Sequence, residues 1–143
     1  LSLHDALPIY MWSLGCVLGF LYSGVHIMKG KDEKDQLSAI MEVLGVPPKE
    51  LIEKASRKDQ LFNEDLTPKQ LSSKVRIPGS KNLKSLLNCK DEKFLSFIKG
   101  CLTYDPEERL TPETAIVHEW ILEALKKAPE DHLNLSVDSE KLM

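Results

Sequence analysis

From Met11 to Leu21 apolar residues fall at Met11, Trp12, Leu14, Cys16, Val17, Leu18, Phe20 and Leu21. Wound as a helix, these positions cover nearly the whole cylinder, which predicts a central helix enclosed by other elements. Gly15 and Gly19 let neighbours come close, and Gly24 supplies the stop. After the polar turn "KGKDEKD", Leu37, Ile40, Met41 and Leu44 keep the spacing of an amphipathic helix closed by Gly45 and Pro47-Pro48. A further short helix is predicted to open just after those prolines.

Residues 63–82 are polar and carry Pro68, Pro78 and Gly79. They read as a long surface excursion with one short helical turn, and a loop of ~20 residues is unusual enough to suggest an insert. The helical period returns at Phe94, Leu95, Phe97, Ile98, Cys101 and Leu102. Past the turn at Asp105-Pro106, Thr111 is placed as an N-cap, with Pro112 at the first helical position and Glu113 complementing the dipole. That helix is predicted to run to about Lys127. Residues 128–143 are polar with isolated leucines and read as a flexible tail. No strand pattern competes, so the chain is predicted to be all-α.

The 143 residues suffice for one domain with a hydrophobic core. A net charge of −3 with scattered basic residues argues against a nucleic-acid partner, and "KASRK" reads as a solvated helix face. The apolar run is short of the ~20 residues a membrane span needs, and no secretory signal is legible. Cys16, Cys89 and Cys101 are odd in number and unpaired in spacing, which points to a reducing intracellular compartment.

The residues offer little chemistry. The seven glycines are dispersed, so no loop cradles phosphate. His26, His118 and His132 stand alone, without metal-ligand spacing. The acids at 32–35 and 130–131 lie in polar segments and read as solvated. Candidate catalytic, cofactor-binding and metal-binding residues are therefore none.

The order "MWSLGCVLGFLYSG", "DQLSAIMEVLGVPP" and "CLTYDPEERLTPETAIVHEW" resembles the C-terminal half of the large lobe of a eukaryotic protein kinase. "DEKDQL", "PGSKNLKSLL", "FLSFIKGCL" and "RLTP" are most similar to the dual-specificity tyrosine-regulated (DYRK) family. The resemblance implies a partial kinase domain over 10–127, with an insert at roughly 63–88, taken from a bilobal α+β parent. It also implies a parent that uses ATP and Mg2+ on protein substrates and lies in the cytoplasm, the nucleus or both. The phosphate-covering loop, the lysine, the catalytic Asp and Asn and the metal-binding Asp have no counterpart here. The chain by itself is accordingly expected to be inactive and to bind no cofactor.

Where the family has Asp-Met-Trp-Ser-Leu-Gly-Cys, this chain has Tyr10. Residues 1–9, "LSLHDALPI", are the translation of a common sequencing-library adapter, CTT TCC CTA CAC GAC GCT CTT CCG ATC, which ends in one further T. That T in place of the first base of an Asp codon gives a Tyr codon. Residues 1–9 are read as adapter and Tyr10 as a junction codon, the competing reading being a natural extension with an Asp-to-Tyr change.

The family pattern implies scaffold roles. The Asp replaced by Tyr10 would hold the catalytic loop, Val17 and Leu21 would support the apolar column toward the adenine, and Trp12 would pack on the activation segment; simple core packing is the alternative for Trp12, Val17 and Leu21. Arg109 matches an arginine that pairs with a glutamate beyond this sequence, and its burial without one is expected to cost on the order of 3–5 kcal/mol. The fragment alone is therefore expected to aggregate or stay molten. Phe20 stands where the family usually has a glutamate, which puts arginine-directed specificity in doubt, and Glu119 replaces a usual proline at a helix bend. A second class of function stays open: a pseudokinase or helical interaction module on the same lobe.

Overall fold

The computed structural model describes residues 3–128. The predicted tail at 128–143 falls almost wholly outside them.

The first helix, α1 (Leu3–Ser23), begins eight residues before the predicted start at Met11 and runs through Pro8. Part of the stretch set aside as adapter is thus helical. The proline removes one backbone donor without ending the helix. Gly15 and Gly19 are where neighbours meet α1. A Cβ on Gly15 would stand 2.7 Å from the Cys101 Cβ, and one on Gly19 would overlap the Ile27 Cδ1.

α2 (Glu33–Leu44) starts at Asp32, whose Oδ1 accepts from the Asp35 amide at 2.8 Å, and ends at Gly45 with φ 80°. Of the predicted stripe, Met41 is fully buried and Leu37 and Leu44 pack against the core from partly covered positions. Ala39 and Met41 are buried together with Asp35, Ser38 and Glu42, while Leu37, Ile40 and Leu44 are only partly covered. The helix after the prolines divides into α3 (Lys49–Lys54) and α4 (Lys58–Leu61), because Ala55 turns extended at ψ 130°.

Residues 63–82 contain no helical turn, contrary to the expected one; an isolated bridge pairs Phe62 with Pro68 instead. The predicted insert region 63–88 also includes α5 (Leu83–Leu87), which is core: Leu83 and Leu87 are buried. Asn82 caps its start, and Asn88, left-handed at φ 47°, closes it.

α6 (Glu92–Cys101) matches its predicted pattern, with Asp91 accepting from the amides of Lys93 and Phe94 and with Phe94, Leu95, Phe97, Ile98 and Cys101 buried. At about 1.5–3 kcal/mol for each large apolar side chain buried, this face is the main stabilising surface of the fold. It packs on α1, with Ile27, Leu83, Leu87, Cys89 and Leu102 completing the central cluster. Met11 and Ala115 join Phe97 and Cys101 in an adjoining cluster. A third cluster of Met41, Ile52, Phe62 and Leu71 sits under α2 and α3.

The helix predicted from Pro112 to about Lys127 is two helices. α7 (Pro112–Ala115) is held by a capping box between Thr111 and Thr114, so the predicted N-cap is the observed one. The chain then breaks at 116–118, where His118 turns extended and its Nδ1 accepts from the Trp120 amide at 3.1 Å, opening α8 (Glu119–Lys127). Trp120 tucks between Phe94 and Phe97, with ring centroids 4.9 and 5.0 Å away. Among the described residues the secondary structure is helices, turns and one isolated bridge.

Candidate functional site

Tyr10, Leu14, Val17 and Leu21 follow the spacing i, i+4, i+7, i+11 and line one side of α1. They are 62%, 38%, 54% and 71% exposed, and Phe20 flanks them at 39%. The helix predicted to be enclosed on all sides is therefore enclosed on one. Composition identifies an apolar cylinder but not which of its neighbours the same chain supplies. His26 stacks on Phe20 with ring centroids 4.5 Å apart, at the end of this open side.

Trp12 turns the other way. The Arg109 guanidinium carbon lies 5.1 Å from the centroid of its ring, and the Tyr104 ring is 6.2 Å from it. Arg109 Nε donates to the Thr103 carbonyl at 2.8 Å, one terminal nitrogen to the Pro8 carbonyl at 2.7 Å and the other to the Tyr104 carbonyl at 3.0 Å. Burial pulls Arg109 below the ordinary arginine value, and the nearby Asp105 carboxylate opposes that shift. No carboxylate lies within ion-pair distance of it among the described residues. The penalty expected for an unpaired buried arginine is nevertheless too large, because carbonyl oxygens and an aromatic face satisfy the cation.

Tyr104 ties this corner to α2: its hydroxyl donates to the Gly45 carbonyl at 2.7 Å, and burial pushes the phenol above its ordinary pKa. The Cys101 thiol is pushed up to about 11, by burial first and by Cys16 second, which keeps it protonated and unreactive.

The residues named from the sequence thus fall into two groups. The fold brings Trp12 and Arg109 together, and it leaves Tyr10, Val17 and Leu21 on the open face of α1.

A third constellation was not anticipated. Asp35, read as a solvated acid, is 2% exposed. Arg76 Nε donates to its Oδ1 at 3.1 Å from 41 residues away, Ser72 donates to the same oxygen at 2.5 Å, and the Lys31 amide donates to Oδ2 at 2.8 Å. Arg76 also donates to Glu42 Oε1 at 3.2 Å, where Lys81 Nζ arrives at 2.6 Å. Serine, amide and guanidinium donors hold the Asp35 carboxyl down at about 2. A signal existed in the sequence: Asp35 and Glu42, seven residues apart, lie on the same side of α2 as Ser38 and Met41. An acid pair on that side calls for a cation, but nothing local names Arg76.

No group of three His, Cys, Asp or Glu side chains that could hold a metal ion converges among the described residues. Within the same residues no helix is long and apolar enough to cross a membrane.

A family model described as the protein kinase domain matches residues 5–121. The chain is 44% identical over 124 residues to dual specificity tyrosine-phosphorylation-regulated kinase 2 of Drosophila melanogaster, covering 85% of this chain and 17% of that protein. It is 45% identical over 117 residues to the DYRK-family kinase pom1 of Schizosaccharomyces pombe, covering 80% of this chain and 11% of that one. Against dual specificity tyrosine-phosphorylation-regulated kinase 4 of Homo sapiens it is 41% identical over 125 residues, 85% of this chain and 24% of the relative. The chain therefore spans less than a quarter of the length of each of these relatives. With an all-helical fold that fits part of a kinase large lobe, the chain belongs to the protein kinase domain family and stands close to its DYRK members.

Proposed function

We propose that this chain is the C-terminal scaffold of a DYRK-type kinase that transfers the ATP γ-phosphate to serine and threonine hydroxyls of protein substrates and also phosphorylates its own tyrosine. The observation that carries this reading is the one-sided burial of α1 in a chain similar to these kinases over at least four-fifths of its length. A helix closed on one side and apolar on the other is built to receive a second layer. In this reading that layer holds the catalytic loop, and Val17 and Leu21 form its floor. Trp12 and Arg109 brace the segment that presents substrate. The part of the kinase beyond this sequence binds ATP and Mg2+, which supply the phosphoryl group and neutralise its charge during transfer. Residues 1–9 are adapter sequence, and the parent carries Asp where Tyr10 stands. The working protein lies in the cytoplasm or nucleus and engages neither membrane nor nucleic acid.

The test is to sequence the transcript upstream across codon 10, express the extended protein, and measure phosphate transfer from ATP to a serine/threonine peptide. An Asp codon at position 10, a catalytic-loop Asp upstream, and activity lost when that Asp becomes Asn are expected. A genuine Tyr10 with no upstream catalytic Asp would overturn the enzyme reading and leave an interaction module.

A further inference from the structure

The segment 63–82 carries two adjacent serines with opposite surroundings. Ser72 is half-buried, donating to Asp35 Oδ1 at 2.5 Å while its oxygen accepts from the Lys74 amide at 3.0 Å. Ser73 is exposed, and its Oγ accepts from Lys31 Nζ at 3.3 Å across 42 residues of sequence. The Lys31 backbone is itself fixed, since its amide donates to Asp35 Oδ2 at 2.8 Å. An ammonium group on a held backbone therefore already stands at the Ser73 hydroxyl. Lys74 follows directly, also exposed. Of the buried acids nearby, Asp35 is already engaged by Arg76, Ser72 and the Lys31 amide, and Glu42 by Arg76 and Lys81. The backbone from 70 to 78 forms neither helix nor strand. An irregular, exposed stretch of this kind can be drawn into a modifying enzyme.

We propose that Ser73 is a phosphorylation acceptor whose phosphate is gripped by Lys31 and Lys74, fastening the 70–78 segment to the turn before α2. In the modification a protein kinase joins the Ser73 Oγ to the γ-phosphorus of a nucleoside triphosphate. The bond from that phosphorus to the β,γ-bridging oxygen breaks, the hydroxyl proton passes to the modifying enzyme's base, and the nucleoside diphosphate leaves. The product carries a charge of about −1.5 to −2 opposite two cations. Ser72 is the built-in contrast. A phosphate there would lose the donated hydrogen bond and face the Asp35 carboxylate, releasing the same segment. The inference is independent of whether the parent is an active kinase, because another kinase can supply the phosphate.

Two measurements on the full-length protein test it. The first is phosphate mapping of protein isolated from cells whose phosphatases are inhibited. Phosphate at Ser73 is expected, and a Ser73 peptide found only unmodified overturns the proposal. The second is hydrogen exchange with phosphoserine encoded at 73, at 72, or at neither. Phosphoserine at 73 is expected to slow exchange over 70–78 roughly two- to fivefold, the range of a strengthened exposed ion pair. Lys31→Met removes that gain, and phosphoserine at 72 speeds exchange instead. Equal effects at both positions, or an unchanged gain in Lys31→Met, sink the grip.

Discussion

Arg109 and Trp12, 97 positions apart in the chain, meet with the guanidinium carbon 5.1 Å from the indole centroid. The contact pins the middle of α1 to the turn after α6. Arg109→Lys keeps the charge but loses the planar fork that reaches three carbonyls. A loss of about 2 kcal/mol in urea unfolding is expected, and Arg109→Met should lose at least as much. Equal stability of Arg109→Lys and the parent sequence would show that the three bonds contribute nothing.

The open side of α1 should make the isolated chain adhesive. Strong dye binding to exposed apolar surface and self-association in sedimentation are expected. Val17→Lys with Leu21→Lys should suppress both. At 54% and 71% exposure, these side chains should alter the chain's own stability by no more than about 0.5 kcal/mol.

The two glycines of α1 should differ. Gly15→Ala drives a methyl to 2.7 Å from a Cβ on the neighbouring helix, which has no rotamer to yield. About 1–3 kcal/mol of destabilisation is expected. Gly19→Ala meets the tip of Ile27, which can turn aside, and should be the milder change in the same thermal unfolding series.

The Asp35 anchor sets a pH window. Its carboxyl titrates near 3.8 when free and about 2 when bound, so attachment of the 70–81 segment is at full strength above pH 3.8. As pH falls from there through 2, protonation releases it. Hydrogen exchange over 70–81 should therefore rise across that interval before the helices of the main core open, and Asp35→Asn should erase the step. A chain whose 70–81 exchange rises only with global unfolding would rule this out.

What could be read in advance follows the range of each interaction. Thr111 and the buried face of α6 were legible because caps and helical periods are decided within one turn. The break at 116–118 was not, since it depends on His118 capping α8 while Trp120 wedges between Phe94 and Phe97. Asp35 looked solvated because its partner is 41 residues away in a stretch without periodicity. Val17 and Leu21 looked buried because hydropathy records affinity for cover rather than the cover itself. The pairing of Trp12 with Arg109 links residues that the sequence singled out separately, and only the fold shows that they touch.

The glycine contacts of α1 and its open stripe lie on opposite sides of one rod, so the helix works as a seam. One edge is already stitched at atomic contact by Gly15 and Gly19. The other is unsewn, and Val17 and Leu21 project from it as pegs. On the function proposed above, a separately made polypeptide carrying the second layer would dock along this edge without rebuilding the interior of either part. The pegs would then set the register of that layer, because a slide by one helical turn would displace each by about 5.4 Å.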